Sequence, residues 1–445
     1  NWALLNILTL SLSFMLVFTA FQTTGMLEES VLEAAQNDTG QDFTGAGYKS
    51  LSIIYLVFAV FNWISPMIVA LLGAKVSMIA SALIYNAFCA SFLRPALWSL
   101  YLGSVLLGIA AAVIWTAQGA FLTANSSSET MGRNSGLFWA IFQTSLLWGN
   151  LYVTLSFSGK PEISSDDRWK LFLILTIVGC CGSALMLLFR SRTAQSDDDD
   201  IDASVNADLA TLDRPSASSI VVNTLRQSMQ LLRDTPMQLL IGTFIYSGLE
   251  LTFMSGVYGT MLHHTRQFGD SVSSLIGQSG IAIAAGEILA GFLFSILGKF
   301  TNKFGRDPVV LLGYLVHTCT FYLAFVNLPM DSPIRDTSGR IYFLQANPAA
   351  ALVGAFLLGF GDACYNTQLI SVLGCVYPSQ SAPAFALFKF FQSAAASIAF
   401  FYSTYLLMQW QLLLLVVFGC FGTISFFACE QRFRNTASIG YSIID

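Results

Sequence analysis

Charge is what this chain has least of. Charged residues make up 11% of its 445 positions, against roughly 25% in ordinary soluble domains, while hydrophobic residues make up 55%. So little polar material excludes a water-soluble globule. The net charge of −5 includes the acidic run Asp197 to Asp200 and leaves no basic patch, so nucleic acid is excluded as a partner. Catalytic patterns are missing too: there is no Gly-x-Ser-x-Gly, no phosphate-binding loop and no paired metal-ligand spacing. We therefore expect no enzyme, no metal and no cofactor. The eight cysteines fall within or at the ends of apolar runs, where a thiol behaves as a small hydrophobe. They frame no disulfide pattern, and the adjacent pair Cys180-Cys181 lacks the second ligand pair that zinc requires.

What the chain does have is a series of apolar runs near the length of about 20 residues that crosses a bilayer. Six precede a polar middle: Trp2 to Phe21, Leu51 to Leu72, Val76 to Phe92, Leu97 to Leu122, Gly136 to Phe157 and Trp169 to Phe189. Six follow it: Pro236 to Leu262, Ser274 to Leu297, Val309 to Phe325, Ala349 to Val376, Pro383 to Leu407 and Gln411 to Cys429. The expected fold is an all-α polytopic membrane protein with twelve transmembrane helices in two six-helix bundles. Its parts are a first half over residues 1–192, a cytosolic linker over 193–234, a second half over 235–429 and a tail over 430–445. In the linker, Ser196 to Ser216 is rich in Asp, Ser and Ala and reads as a disordered spacer. Beyond it, Ile220, Leu225, Met229 and Leu232 recur at helical spacing and predict an amphipathic helix on the cytosolic face.

Placing both termini in the cytosol puts Arg190, Arg192, Arg214, Arg226, Arg233, Lys299, Lys303, Arg306, Arg432 and Arg434 inside, as the positive-inside rule prefers. The same choice puts the sequon Asn37-Asp38-Thr39 outside, where it can be glycosylated, and leaves Asn125-Ser126-Ser127 bare in a cytosolic loop.

The halves carry a faint internal repeat. Leu107-Gly108, Thr116 and Gln118 align with Leu358-Gly359, Thr367 and Gln368, and Phe142-Gln143-Thr144 aligns with Phe391-Gln392-Ser393. The same offsets set Ala111 opposite Asp362, Ala140 opposite Lys389 and Asn62 opposite Glu287. Parallel repeats of this kind are a signature of transporters. The turn Gly298-x-x-x-Asn302-Lys303-x-Gly305-Arg306 resembles the cytosolic signature loop of the major facilitator superfamily, with Asn302 where that family usually carries Asp. In the first half the loop has shrunk to Leu72-Gly73-Ala74-Lys75. A narrower resemblance rests on Gly248-Leu-Glu-Leu-Thr-Phe-Met-Ser-Gly-Val-Tyr-Gly259, Gly132-Arg-Asn-Ser-Gly-Leu-Phe-Trp139, Asn366-Thr-Gln-Leu369 and Ser381-Ala-Pro-Ala-Phe-Ala-Leu-Phe-Lys389. These segments are similar to the uncoordinated-ninety-three-like branch of that superfamily. The resemblance implies the twelve-helix fold. For function it implies either a solute carrier or a protein that regulates potassium channels or escorts receptors between membranes.

Four charges lie in the cores of the spans, all in the second half: Glu250, Glu287, Asp362 and Lys389. Intramembrane ionisable residues mark solute and proton pathways by default, and a carboxyl group in low dielectric can bind and release a proton near neutrality when no cation lies beside it. The three acids fall at mid-membrane depth and are expected to face water between the halves. Coupling to a proton or cation is the first reading; ion pairs that hold helices together and a vestige of an ancestral carrier are the others. Lys389, nearer the cytosolic end of its helix, is either a counter-ion or a lysine that snorkels to the surface.

Gln118, Gln143, Asn150, Asn366, Gln368 and Gln392 offer a polar cavity wall or interhelical hydrogen bonds. Trp115, Trp139, Tyr365 and Phe388 offer stacking surfaces or packing. His317 reads as a satisfied core histidine, and His263-His264 as a solvated pair beside Arg266. The tail ends in Gly440-Tyr441-Ser442-Ile443-Ile444, whose Tyr441 and Ile444 have the spacing of an endolysosomal sorting signal. Two functions follow: a secondary carrier for a small organic or ionic solute, or a non-transporting accessory protein that grips a channel or receptor. Either acts in membrane lipid, at the plasma membrane or in endolysosomes.

Overall fold

A computed structural model describes residues 2–43, 46–157, 165–190, 217–298, 304–343 and 345–442. The apolar runs become helices because lipid offers backbone N–H and C=O groups no partner, so each segment must pair its own. The first half contains α1 (Trp2–Thr39), α2 (Ala46–Phe61), α3 (Ser65–Ser91), α4 (Leu97–Ala124), α5 (Met131–Phe157) and α6 (Ser165–Leu185). After α7 (Ala217–Leu231) come α8 (Thr235–Thr252), α9 (Tyr258–His264), α10 (Val272–Ile296), α11 (Asp307–Asn327), α12 (Pro348–Val376), α13 (Ser381–Ser403) and α14 (Met408–Ser442). Among the described residues, ten helices are long and apolar enough to cross a bilayer, and Lys49–Phe61 is a shorter apolar one. Leu102, Ile177, Ile296, Val353 and Phe421 stand exposed on the outside of the bundle, as side chains facing lipid do.

Two expected boundaries are corrected. The first helix does not end near Phe21 but runs to Thr39, its outer turns burying Val31 and Leu32. The sequon lies in its last turn, and the Asn37 side chain is outside the described residues. The spans Leu51 to Leu72 and Val76 to Phe92 are also divided differently. Helix α2 stops at Phe61, Asn62 to Ile64 form a turn, and α3 starts at Ser65 with Pro66 in its first turn, where a missing N–H costs nothing. Gly73 then interrupts α3 with φ of 76°, a left-handed backbone open to glycine. Hydropathy runs unbroken through Asn62 to Ile64, so composition alone does not reveal that turn, whereas Gly73 falls in the Leu72-to-Lys75 break that the sequence places there.

Within the first half, α1 packs on α5 and α6, and α4 on α2 and α3; within the second, α12 packs on α10 and α11, and α8 on α13 and α14. The halves meet where α5 packs on α10 and where α4 and α2 pack on α13.

Each half is tied at the same end by its short loop. Lys75 Nζ donates to the carbonyls of Leu187 at 2.8 Å and Phe189 at 2.7 Å, capping the last turn that follows α6. In the second half Arg306 takes the equivalent place. Its Nη1 contacts both Glu430 oxygens at 3.2 and 3.0 Å, and Nε donates to Ser371 Oγ at 3.0 Å. Both charges are buried. Glu430→Ala should therefore cost about 3–5 kcal/mol, because Arg306 would be left charged and unpaired. The double variant Arg306→Met with Glu430→Leu should recover most of that loss; thermal unfolding in detergent compares them.

At the opposite end, residues 328–343 and 345–347 pack on the second half. Thr337 bridges to Thr265, His264 Nδ1 lies 2.8 Å from the Ser332 carbonyl, and the Met408 N–H donates to the Met330 carbonyl at 2.8 Å. Partial burial would raise the Asp331 carboxyl, yet hydrogen bonds from Thr337 and Arg335 outweigh it and hold it below the usual carboxylate value.

Candidate functional site

The three acids of the second half meet. Glu287 on α10 and Asp362 on α12 lie near the middle of their helices, Glu250 lies in the last turn of α8, and all three are buried. Glu250 and Glu287 each lie next to Asp362, which makes Asp362 the centre of a line of three. Carboxyl groups crowded together in low dielectric cannot all be ionised. A line of this kind can store a proton.

Each end of the line has a different partner. Trp139 Nε1 donates to Glu287 Oε2 at 2.5 Å, and Gln143, one turn further along the same face of α5, lies close by. Trp139 belongs to the first half, so Glu287 on the second half is bonded across the seam. At the other end His317 Nε2 lies 3.6 Å from Glu250 Oε2. The ring is held by the Tyr246 hydroxyl, 2.8 Å from Nδ1, and the Leu358 carbonyl, 3.1 Å from Nε2. His317 is thus a partnered core histidine as the sequence suggests, and it also adjoins the acids. Asn366 Nδ2 donates to Asp362 Oδ1 at 2.7 Å. Three residues beyond Glu250 the helix loosens into a π turn, Phe253–Val257, a distortion frequent at functional sites.

Lys389 does not snorkel. Its ammonium is buried, 4.7 Å from the Trp115 ring centre and 4.5 Å from that of Phe388, and it donates to Gln392 Oε1 at 2.7 Å. Gln392 in turn donates to Ser247 Oγ at 3.2 Å. Two aromatic faces and an amide replace water, and desolvated cation–π contacts contribute about 2 kcal/mol. Asp362 is close enough to attract it.

The expectation that the acids face water is also corrected, because the seam is shut around them. Gly136 and Gly291 let α5 and α10 touch backbone to backbone on either side of Trp139, and Gly119 accepts the Phe385 ring. Toward the first half, Phe14, Phe18, Trp115, Phe138 and Phe142 pack edge to face or stacked with centroids 5.2–6.3 Å apart. A cavity of about 580 Å³ lined by Lys49, Ser52, Ile53 and Tyr101 opens beside α2 and α4 and does not reach the acids.

Yet the seam is not satisfied. Gln118 Nε2, Gln143 Oε1, Asn366 Oδ1 and Gln368 Oε1 are buried and find no hydrogen-bond partner in the protein. Each such atom costs roughly 1–3 kcal/mol.

Of the signature loop, Gly298 packs on the Arg133 backbone, Gly305 takes φ of 87° and Arg306 makes the ion pair with Glu430. Asn302 and Lys303 lie outside the described residues, as do Ile444 and the Tyr441 side chain. Asn125 spends its amide on Asn6 and the Phe121 carbonyl. Two residues escaped sequence reasoning. Glu430 falls one position past an apolar run and so was not counted as buried, and Trp139 offered a stacking surface rather than an N–H. Nothing in the chain's linear order pairs either with its partner.

Comparison with known proteins places these features. The family described as "Ion channel regulatory protein UNC-93" matches residues 41–427. The UNC93-like protein MFSD11 of Xenopus tropicalis is 48% identical over 432 residues, covering 96% of each chain. Among solved structures, the E. coli fucose:proton symporter FucP superposes with a TM-score of 0.64 at 15% identity, covering 96% of this chain and 99% of the symporter. The proton:xylose symporter XylE does so at 0.58 and 14%, covering 96% and 94%.

Proposed function

Because the chain belongs to the UNC-93 family and has the fold of a major facilitator transporter, we propose that it is a secondary carrier for a small organic or ionic solute. Two halves rock about the seam between α5 and α10, and the structure corresponds to the closed stage of that cycle. Glu250, Glu287 and Asp362 bind the driving proton or cation, with Lys389 as counter-charge. The observation that carries this reading is the set of unpartnered buried amide atoms on Gln118, Gln143, Asn366 and Gln368. A seam meant to stay dry has no use for them, whereas one that opens can give them water or solute. Glu287 supplies the coupling: its bond to Trp139 joins the halves, so a change in its protonation bears directly on opening.

A second reading is favoured by the aromatic packing of the first half and by the regulatory description of the family. In it the chain is an accessory protein that holds a channel or receptor. Glycosylation at Asn37, cytosolic termini and endolysosomal sorting through Tyr441 and Ile444 fit both readings.

The test uses proteoliposomes loaded with a pH-sensitive dye and presented in turn with sugars, amino acids, organic amines and carboxylates. The carrier reading expects at least one class to drive proton movement. Silence across all four classes, together with a membrane protein co-purifying in fixed ratio, would decide for the accessory role.

A further inference from the structure

Helix α7 forms where its spacing predicts it, and it turns its polar side chains inward. The side chains it turns toward the bundle are Thr224, Ser228 and Leu231, while Val222, Leu225 and Met229 stand 56%, 42% and 48% exposed. At 3.6 residues per turn these three form one stripe, and Arg226 and Arg233, both exposed, fall along its edge. An apolar stripe edged by basic side chains is the pattern of a helix lying in a membrane interface.

Its position supports that occupant. Helix α7 packs on α3 of the first half and α13 of the second, bridging the seam from outside. Asp234, just past its end, bonds the Tyr377 hydroxyl, and Lys75 on α3 bonds Leu187 and Phe189 at the same face of the membrane. There α3 itself exposes Leu71, Leu72 and Val76. The apolar face of α7 thus continues the lipid-facing surface of the helix it rests on.

We infer that α7 is an interfacial brace: Val222, Leu225 and Met229 sit among lipid chains, Arg226 and Arg233 hold anionic headgroups, and the helix thereby pins α3 to α13 across the seam. The brace does not depend on whether a solute is carried. Two basic side chains at an anionic surface favour it over a neutral one by on the order of thirty-fold, and salt screens the difference.

Hydrogen exchange on the full chain in nanodiscs tests this, comparing phosphatidylcholine alone with phosphatidylcholine plus phosphatidylserine. Amides from Val222 to Leu232 should exchange several-fold more slowly in the anionic discs. Arg226→Gln with Arg233→Gln should erase the difference, as should high salt. Replacing Val222, Leu225 and Met229 by serine should speed exchange in both discs. Unchanged exchange across α10 and α12 verifies that the variants are folded. Equal exchange in the two lipids overturns the inference. If equally slow, a protein or a second copy covers the face; if equally fast, nothing does.

Discussion

Gly359→Ala should lower stability by about 3 kcal/mol or more, the upper range for overpacking, and should disturb the acid line at the same time. A Cβ at Gly359 would run into the Ile283 carbonyl and lie 3.1 Å from Glu287 Cγ; one at Gly286 would run into the Phe356 carbonyl and the Phe360 N–H. The two glycines are reciprocal, each on one helix of the α10–α12 crossing and each facing the other's backbone. Backbone cannot rotate away as a side chain does, so the helices must separate, and Glu287 and Asp362 are carried on those helices. Gly277→Ala is the control. It lies in α10 with nothing within 4 Å of the added carbon, and there alanine should be neutral or stabilising by up to about 1 kcal/mol through helix propensity. Equal melting of the two variants would show that the crossing is looser than its glycines imply.

Glu287→Gln should abolish proton-driven accumulation of any solute the liposome assay identifies, while exchange of that solute across the membrane without a proton gradient persists. The amide keeps the shape of the side chain and can still accept from Trp139 Nε1, so the seam and the fold are retained. What it loses is the ionisable group. Trp139→Phe separates the two roles, because it leaves the carboxyl able to bind a proton but removes its 2.5 Å donor from the first half. That variant should keep coupling and lose roughly 1–3 kcal/mol from the closed seam. Uptake by Glu287→Gln with its full pH dependence would remove Glu287 from the mechanism.

Much of the site is legible in one dimension because charge is so scarce. Glu250, Glu287, Asp362 and Lys389 stand out on apolar runs, and the spacing of those runs puts the acids at a common depth. The partners are not legible. Trp139 and Glu287 are 148 positions apart, and no local pattern distinguishes a tryptophan that stacks from one that donates its N–H. Lys389 shows the same limit: its distance from the helix end allowed snorkelling, and Phe388, Gln392 and Trp115 from the other half together hold it buried. For α7 the spacing predicted the helix but not its orientation, since Thr224 and Ser228 can face a protein as readily as valine can.

By itself the sequence determined that this chain lives in lipid as a bundle of helices, because a bilayer demands about 20 apolar residues per crossing and internal backbone pairing in each. It also determined that the second half carries four charges in the cores of its spans. Only the tertiary structure decided that the acids form one line sealed behind Trp139, that Arg306 closes on Glu430 and that Asn62 to Ile64 divide the span before Gly73. Those outcomes depend on which helix faces lie against each other, a property of packing that no single run of residues contains.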